Sequence, residues 1–431
     1  MKLWQKETTL NQKIETFTIG QDGELDLQLA RYDVQGSLAH IEMLCSIGLI
    51  KNKELNLLKI ELQNILESID NQSFEIEPEV EDVHSQIELL LIRKLGDVGK
   101  KIHAGRSRND QVLVDLRLFF RAEIREIIEL SKSLFTVLQD KSEAHKDDLM
   151  PGYTHTQVAM VSSFGLWFGA YAESLVDDLQ LFQSVHQIVN QNPLGSAAGY
   201  GSSFPLNRTM TTELLEFDNL AYNVIHAQMG RGKTELFLSF GIAALATTLG
   251  KLAADICLFN SQNFSFFKLP DEFTTGSSIM PHKKNPDVFE LIRGRCNLLA
   301  NLPNQVTALT GNLISGYHRD FQLLKEIMFP ALTNLKNCLE MAAFAIPEIS
   351  VKKDLLKDEK YDLLYTVEAV NEEVMKGIPF RDAYLKVGKT VENGSFKWSK
   401  KIVHTHEGSL GNLCNDAILE KMKQVKLGRD E

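Results

Sequence analysis

Residues 106–150 read RSRNDQVLVDLRLFFRAEIREIIELSKSLFTVLQDKSEAHKDDLM, 45 residues without a glycine or a proline. Within this run Leu116, Phe119, Phe120, Ile124, Ile127, Ile128, Ser131, Leu134, Phe135 and Leu138 recur at the three-and-four spacing of one helix face. A helix of about 30 residues would be roughly 45 Å long at about 1.5 Å per residue, longer than most globular helices. One such rod cannot bury its apolar stripe alone, so the stretch predicts a bundle of long helices.

The sequence on either side agrees. Residues 209–229 and 233–269 read as further helical segments, the second interrupted only by Gly241 and Gly250. Residues 287–302 and 317–346 read as a helical pair, with Pro330 as a kink or join. Alternating, β-branched runs are scarce, and nothing repeats as strand–helix–strand. The expected class is all-α. Before residue 105 lie short helices, the acidic loop around Glu75–Asp82 and a segment with Gly96, Gly99 and Gly105; beyond Pro347 the composition turns polar. Three domains are expected on this basis: residues 1–104, a central long-helix bundle at 105–346, and a small helical domain at 347–431.

Composition narrows the function classes. The chain has 431 residues, 44% hydrophobic and 24% charged, with a formal net charge of −11. These are the proportions of a soluble globular protein. A strongly negative chain argues against nucleic acid as partner, and any anionic ligand must be held by a local cluster of cations. Residues 236–259 are the most apolar, but Gly241, Gly250, Lys251 and Asp255 interrupt them, so a buried helix is expected and no membrane span. Cys45, Cys257, Cys296, Cys338 and Cys414 keep no metal-type spacing, and the odd count suits free thiols in a reducing, cytoplasmic compartment. Residues 1–7 show no apolar core of a secretory signal.

Four segments look unlike helix filler. Gly276-Ser277-Ser278-Ile279-Met280-Pro281-His282-Lys283-Lys284-Asn285-Pro286-Asp287 combines a flexible, hydroxyl-rich start with two lysines. Asn285 suits an N-cap there and Pro286 a first helical turn. A capped loop would explain half of these residues, but not the two serines beside the cations. His103-Ala104-Gly105-Arg106-Ser107-Arg108-Asn109-Asp110-Gln111 crowds polar groups at the start of the long helix. This suits either anion binding or a capping cluster whose arginines pair with acids such as Asp110. In Met150-Pro151-Gly152-Tyr153-Thr154-His155-Thr156-Gln157 a Pro-Gly turn is expected to end that helix, followed by a run of hydrogen-bonding side chains. In 317–325, Gln322 and Lys325 share a helix face, which alone means only a solvated surface. His404-Thr405-His406 has no companion ligand at metal-site spacing, and there is no P-loop, no GxGxxG and no Gly-x-Ser-x-Gly elbow.

Together these segments resemble the fumarase/aspartase superfamily. Its signature Gly-Ser-Ser-x-Met-Pro-x-Lys-x-Asn-Pro matches residues 276–286 at every specified position. Within it the chain is similar to the argininosuccinate lyase family, through Gly105–Gln111, Pro151–His155 with Gln157, and Lys283–Asp287. Supporting matches lie at Tyr32–Ser37 and 317–325, so the likeness covers most of the first 330 residues and fades beyond Pro347. Three departures stand out. Gln5 follows Trp4 where the family has glycines, Thr18-Ile19-Gly20-Gln21-Asp22 replaces a serine-bearing segment, and Thr156 replaces leucine.

The resemblance implies a fumarase/aspartase-like all-α fold and cofactor-free, metal-free cleavage of argininosuccinate to arginine and fumarate, in arginine biosynthesis. It implies that His155 and Ser277 are the two proton-transfer groups, one the base and the other the acid, with Lys283 stabilising charge and Glu290 orienting the histidine. It implies substrate binding by Ser107, Arg108, Asn109, Thr154, Asn285, Tyr317, Gln322 and Lys325. It also implies a homotetramer whose sites are shared between subunits. Two other readings stay open: another superfamily lyase, such as one for adenylosuccinate, and a non-catalytic relative like the lens δ-crystallins. The Arg106–Gln111 segment argues against the first, and the intact Ser277, His155 and Lys283 against the second.

Overall fold

A computed structural model describes residues 12–399, 402 and 404–427. Its centre is a bundle of four long helices. The first is Arg108–Ala144, 37 residues or about 55 Å. The second is Phe164–Val189, the third Val224–Asn260 and the fourth Leu323–Ala345. A shorter helix, Asp287–Ala300, packs along the third and fourth. All ten residues of the expected stripe on the first helix are buried, and its nine apolar ones meet Phe168, Leu175 and Phe182 of the second and Leu238, Ile242 and Leu245 of the third in one core. Burying a Leu or Phe is worth about 1.5–3 kcal/mol each, so this seam dominates the stability of the centre. The apolar residues around 236–259 lie in the third helix, whose buried face belongs to that core.

The N-terminal helices have a separate core. Ala30–Ser46, Asn52–Asp70 and Val83–Leu95 close around Val34, Ile41, Leu58, Leu62, Ile87 and Leu91. In the C-terminal region Thr366–Met375 and Phe380–Glu392 share a small cluster, while Leu355, Tyr361 and Ile418 join the main core.

Several expected boundaries fall elsewhere. Pro151-Gly152 does not end the first long helix, which stops at Ala144. The pair lies inside a β-hairpin, Leu149–Thr154 against Gln157–Ser163, with a register shift between Pro151 and Tyr153. Residues 209–229 are not one helix. Arg208–Leu214 ends in a turn through Glu216 at φ +56°, and a two-residue strand intervenes before the third long helix begins at Val224. The lack of Gly or Pro there hid a turn made by an acidic residue in a left-handed conformation. Helix does not start at Tyr317 either: Arg319–Gln322 is a 3₁₀ turn, and the fourth helix then runs unbroken through Pro330. Asn285 is not an N-cap. It pairs with Thr275 in an isolated bridge, its N–H donating to the Thr275 carbonyl at 2.9 Å, and Pro286 takes the cap position of Asp287–Ala300.

Candidate active site

The first long helix begins with a cap that also shapes a cavity. Ser107 is the N-cap, its Oγ accepting from the Asn109 N–H at 3.3 Å, while the Ser107 N–H donates to Asp110 Oδ1 at 2.8 Å. Asp110 Oδ2 accepts from the N–H groups of Gly195 and Ala197, both at 2.9 Å, tying the helix start to the segment after the second helix. Arg106 is buried and donates to Ser37 Oγ at 3.0 Å. With Asp110 and Arg106 turned inward, Arg108 and Asn109 face a cavity of about 210 Å³.

The other wall of this cavity is the 317–325 segment, and it is no solvated face. Lys325 is only 4% exposed, and its ammonium lies 2.6 Å from both Asp22 Oδ1 and Asp26 Oδ1. Burial works against the charged amine, but the two aspartates outweigh it and hold the Lys325 pKa above its ordinary value. Burial pushes Asp22 up to about 6 despite Lys325. Gln322 donates from Nε2 to the carbonyls of Thr18 (3.0 Å) and Ile19 (2.9 Å), and Arg319 donates to the Thr18 carbonyl and to Glu81. The segment that departs from the family pattern, Thr18–Asp22, therefore meets the cavity through the Thr18 and Ile19 carbonyls and the Asp22 carboxylate. Trp4 and Gln5, a second departure, lie outside the described residues.

Behind the cavity sits a buried polar layer that the sequence reading missed. His84, from the Val83–Leu95 helix, lines the cavity, and its Nδ1 lies 3.4 Å from both Asp33 Oδ1 and Asp115 Oδ2. Asp33 and Asp115 are wholly buried. Burial raises Asp33, but His84, Arg106 and Gln111 outweigh it and hold its pKa at about 2; burial, and then Asp33 itself, raise Asp115 well above the carboxylate range. His40 is pushed down to about 3 by burial first and then by Arg106. The ligand atoms of Asp33, His84 and Asp115 lie within 4.8 Å of one another, the spacing a cation would need. Arg106 acts on both carboxylates, however, so the trio is already compensated by charge within the chain. These residues come from three helices and share no local motif, so no sequence spacing could reveal them.

The expected proton-transfer residues lie elsewhere. Thr154 and His155 are exposed at the hairpin tip, where His155 (φ +54°) and Thr156 (φ +60°) form the two-residue turn. Left-handed backbone is costly for a β-branched residue such as Thr, so the tip is held in a strained shape by the strand pairing below it. Tyr153, just below the tip and packed 5.6 Å from Phe264 between ring centroids, anchors the hairpin to the core.

Ser277 sits half-buried in the loop before Asp287–Ala300, and its Oγ accepts from the N–H groups of Ile279 (3.3 Å) and Met280 (3.2 Å). Two N–H dipoles aimed at one hydroxyl favour negative charge on it. Lys284 is ion-paired with Asp271, whereas Lys283 is exposed and has no acidic partner among the described residues. Glu290 is exposed in the first turn of its helix, 3.7 Å from Arg293, and does not reach His155. Of the expected site residues, the cavity thus gathers Arg108, Asn109, Tyr317, Gln322 and Lys325, with Ser107 directly behind. No hydrogen bond or ion pair among the described residues joins these to His155 or to the Ser277 loop.

A protein-family profile described as "Lyase" matches residues 10–299. The chain is 60% identical over 424 residues to the argininosuccinate lyase of Parabacteroides distasonis, spanning 98% of this chain and 95% of that protein. The chain belongs to the argininosuccinate lyase family. A more distant relative, the argininosuccinate lyase of Thermotoga neapolitana, is 39% identical over 388 residues, 90% of this chain and 98% of that protein. Among solved structures, EDDS lyase in complex with formate superimposes with a TM-score of 0.76 at 21% identity, over 97% of this chain and 90% of that one. Class II fumarase from Schistosoma mansoni gives 0.72 at 17% identity, over 95% and 94%. Both share the all-α fold of this chain. As a family member the protein is a lyase, and its Gly276–Pro286 signature lies within the matched residues.

Proposed function

We propose that the protein cleaves argininosuccinate to arginine and fumarate by acid–base β-elimination, as a cofactor-free step of arginine biosynthesis in the cytoplasm. The identity of 60% across nearly the whole chain to an argininosuccinate lyase is the observation that carries this reading. Ser277 is the base that takes the proton beside a substrate carboxylate. Its alkoxide is stabilised by the Ile279 and Met280 N–H groups and by Lys283, which also offsets the charge of the carbanion. His155 protonates the leaving nitrogen, and Glu290 orients it. Ser107, Arg108, Asn109, Thr154, Asn285, Tyr317, Gln322 and Lys325 bind the substrate.

The working form in this proposal is a homotetramer in which each site takes the cavity from one chain and the hairpin tip and Ser277 loop from others. The exposure of His155, Lys283 and Glu290 and their separation from the cavity support it. Adding argininosuccinate to the purified protein should raise the ultraviolet absorbance of fumarate, with adenylosuccinate giving none. Fumarate from adenylosuccinate alone would replace this reading with the other lyase, and none from either substrate would leave the non-catalytic one.

A further inference from the structure

A second cavity, of about 570 Å³, lies beside the base of the Ser277 loop and shares no lining residue with the first. Its size is that of an ordinary small-molecule site. Two short strands make its frame. Phe267–Lys268 pairs antiparallel with Ser350–Val351, and the Lys352 N–H donates to the Phe266 carbonyl at 2.8 Å. This pairing brings Lys268 and Lys352, distant in the chain, to the same cavity, and Thr274, His282 and Lys284 line it from the loop.

The charges here are not balanced. The lining holds three lysines against one acid, Asp271. Asp271 is ion-paired with Lys284, and Lys268 acts on it only at longer range. Asp358, the acid on which Lys352 acts, is held by Lys360 at 3.1 Å. Neither Lys268 nor Lys352 has an acid within ion-pair distance among the described residues. Asn260 and Gln262 add two side-chain amides that bond nothing else among those residues. The third long helix ends at Asn260, but a helix end carries only about half a negative charge, against an excess of two positive ones. In a chain of net charge −11 such a local surplus gathers small anions. The one phenyl ring of the lining, Phe267, is buried, so it gives a nucleobase nothing to stack on.

We infer that this cavity is a second ligand site, for a small doubly charged phosphate, either the free ion or a monoester, and that the bound phosphate joins the Ser277 loop to its frame. Lys268 and Lys352 meet its oxygens from the frame. Lys284 meets them from the loop, since an ammonium has three donors and Asp271 does not use them all. The phosphate takes no part in the reaction, so the site stands whether or not the argininosuccinate reading does.

The test measures binding and loop mobility separately, on the purified full-length protein. Inorganic phosphate and glycerol 3-phosphate are titrated by calorimetry at an ionic strength fixed with sodium chloride, because salt screens exposed charges. At least one should bind the wild type, and the tighter of the two tells the free ion from the monoester. Lys268→Gln with Lys352→Gln should weaken that ligand at least about tenfold, through the loss of two charge-assisted hydrogen bonds. Lys268→Arg with Lys352→Arg, which keeps both charges, should stay within about threefold of the wild type. Both lysines are exposed, so the melting temperatures of the pairs should match the wild type. Trypsin cleavage after Lys283 and Lys284, followed by mass spectrometry, should slow at least about threefold in the saturated wild type and not in the glutamine pair. No binding of either ligand overturns the inference. So does equal affinity in the glutamine pair, which would place the phosphate elsewhere. Binding that leaves the cleavage rate unchanged overturns it too, because the phosphate would then not join the loop to the frame.

Discussion

The cavity and the Ser277 loop are built in opposite ways. In the cavity, Lys325 is buried against two aspartates, Gln322 is fixed to two backbone carbonyls, and Arg231 is shared between a carbonyl and a carboxylate. The loop is half to fully exposed, and Ile279 and Met280 stand out from it. The first region is organised by one chain before any substrate arrives. The second carries the hydroxyl and the lysine of the proposed chemistry on an exposed loop. Binding residues can tolerate a fixed frame, whereas a base that must reach a substrate and then release product needs a segment that is cheap to move.

Removing a charge from the cavity tests the fixed half most severely. Lys325→Ala leaves Asp22 and Asp26 facing each other without their cation, and breaking such a buried pair costs about 3–5 kcal/mol. Urea unfolding should show that loss, and adding Asp26→Asn to the variant should recover part of it. If Lys325→Ala is as stable as the wild type, the cavity is not held by this ion pair. The loop should behave in reverse. Ser277→Ala should lower kcat at least about 10²-fold, the low end for one acid–base group, while the melting temperature stays put. Near-normal kcat would pass the role to Ser278.

A smaller effect separates the two regions by pH. The His40 pKa is about 3 in the folded chain against an ordinary 6.5, so below pH 6.5 the unfolded chain binds a proton that the folded chain refuses. Stability from this residue is therefore full above pH 6.5 and falls as pH drops towards 3. From pH 7 to pH 5 the wild type should lose about 2 kcal/mol more than His40→Gln, whose amide can still donate to the Ala104 carbonyl. Equal losses would mean that the layer behind the cavity does not oppose protonation.

The sequence made some of this legible for identifiable reasons. The apolar stripe of the first long helix was readable because helix periodicity depends only on local spacing, and all ten of its residues are buried. The signature at 276–286 and the word at 105–111 were readable because their residue types are dense and unusual. The fate of Lys325 was not, since its partners Asp22 and Asp26 lie some 300 residues away in the chain. Asp33, His84 and Asp115 escaped for the same reason: each belongs to an ordinary helical pattern and gains meaning only where helices meet. The hairpin escaped because His155-Thr156 makes its turn without the Asn or Gly that usually marks one. Glu290 was expected to orient His155; within one chain it lies 3.7 Å from Arg293, and in the proposed assembly it would orient the histidine of a neighbouring subunit.

That sharing between subunits is the central claim, and subunit mixing tests it most directly. His155→Asn and Ser277→Ala proteins, each inactive alone, are combined, and native mass spectrometry confirms that hybrid tetramers have formed. If the hairpin tip and the loop of one site come from different chains, some hybrid sites hold both an intact His155 and an intact Ser277, and fumarate release from argininosuccinate returns in part. Confirmed hybrids that stay as inactive as their parents would contradict the account, because each chain would then carry both residues of its own site.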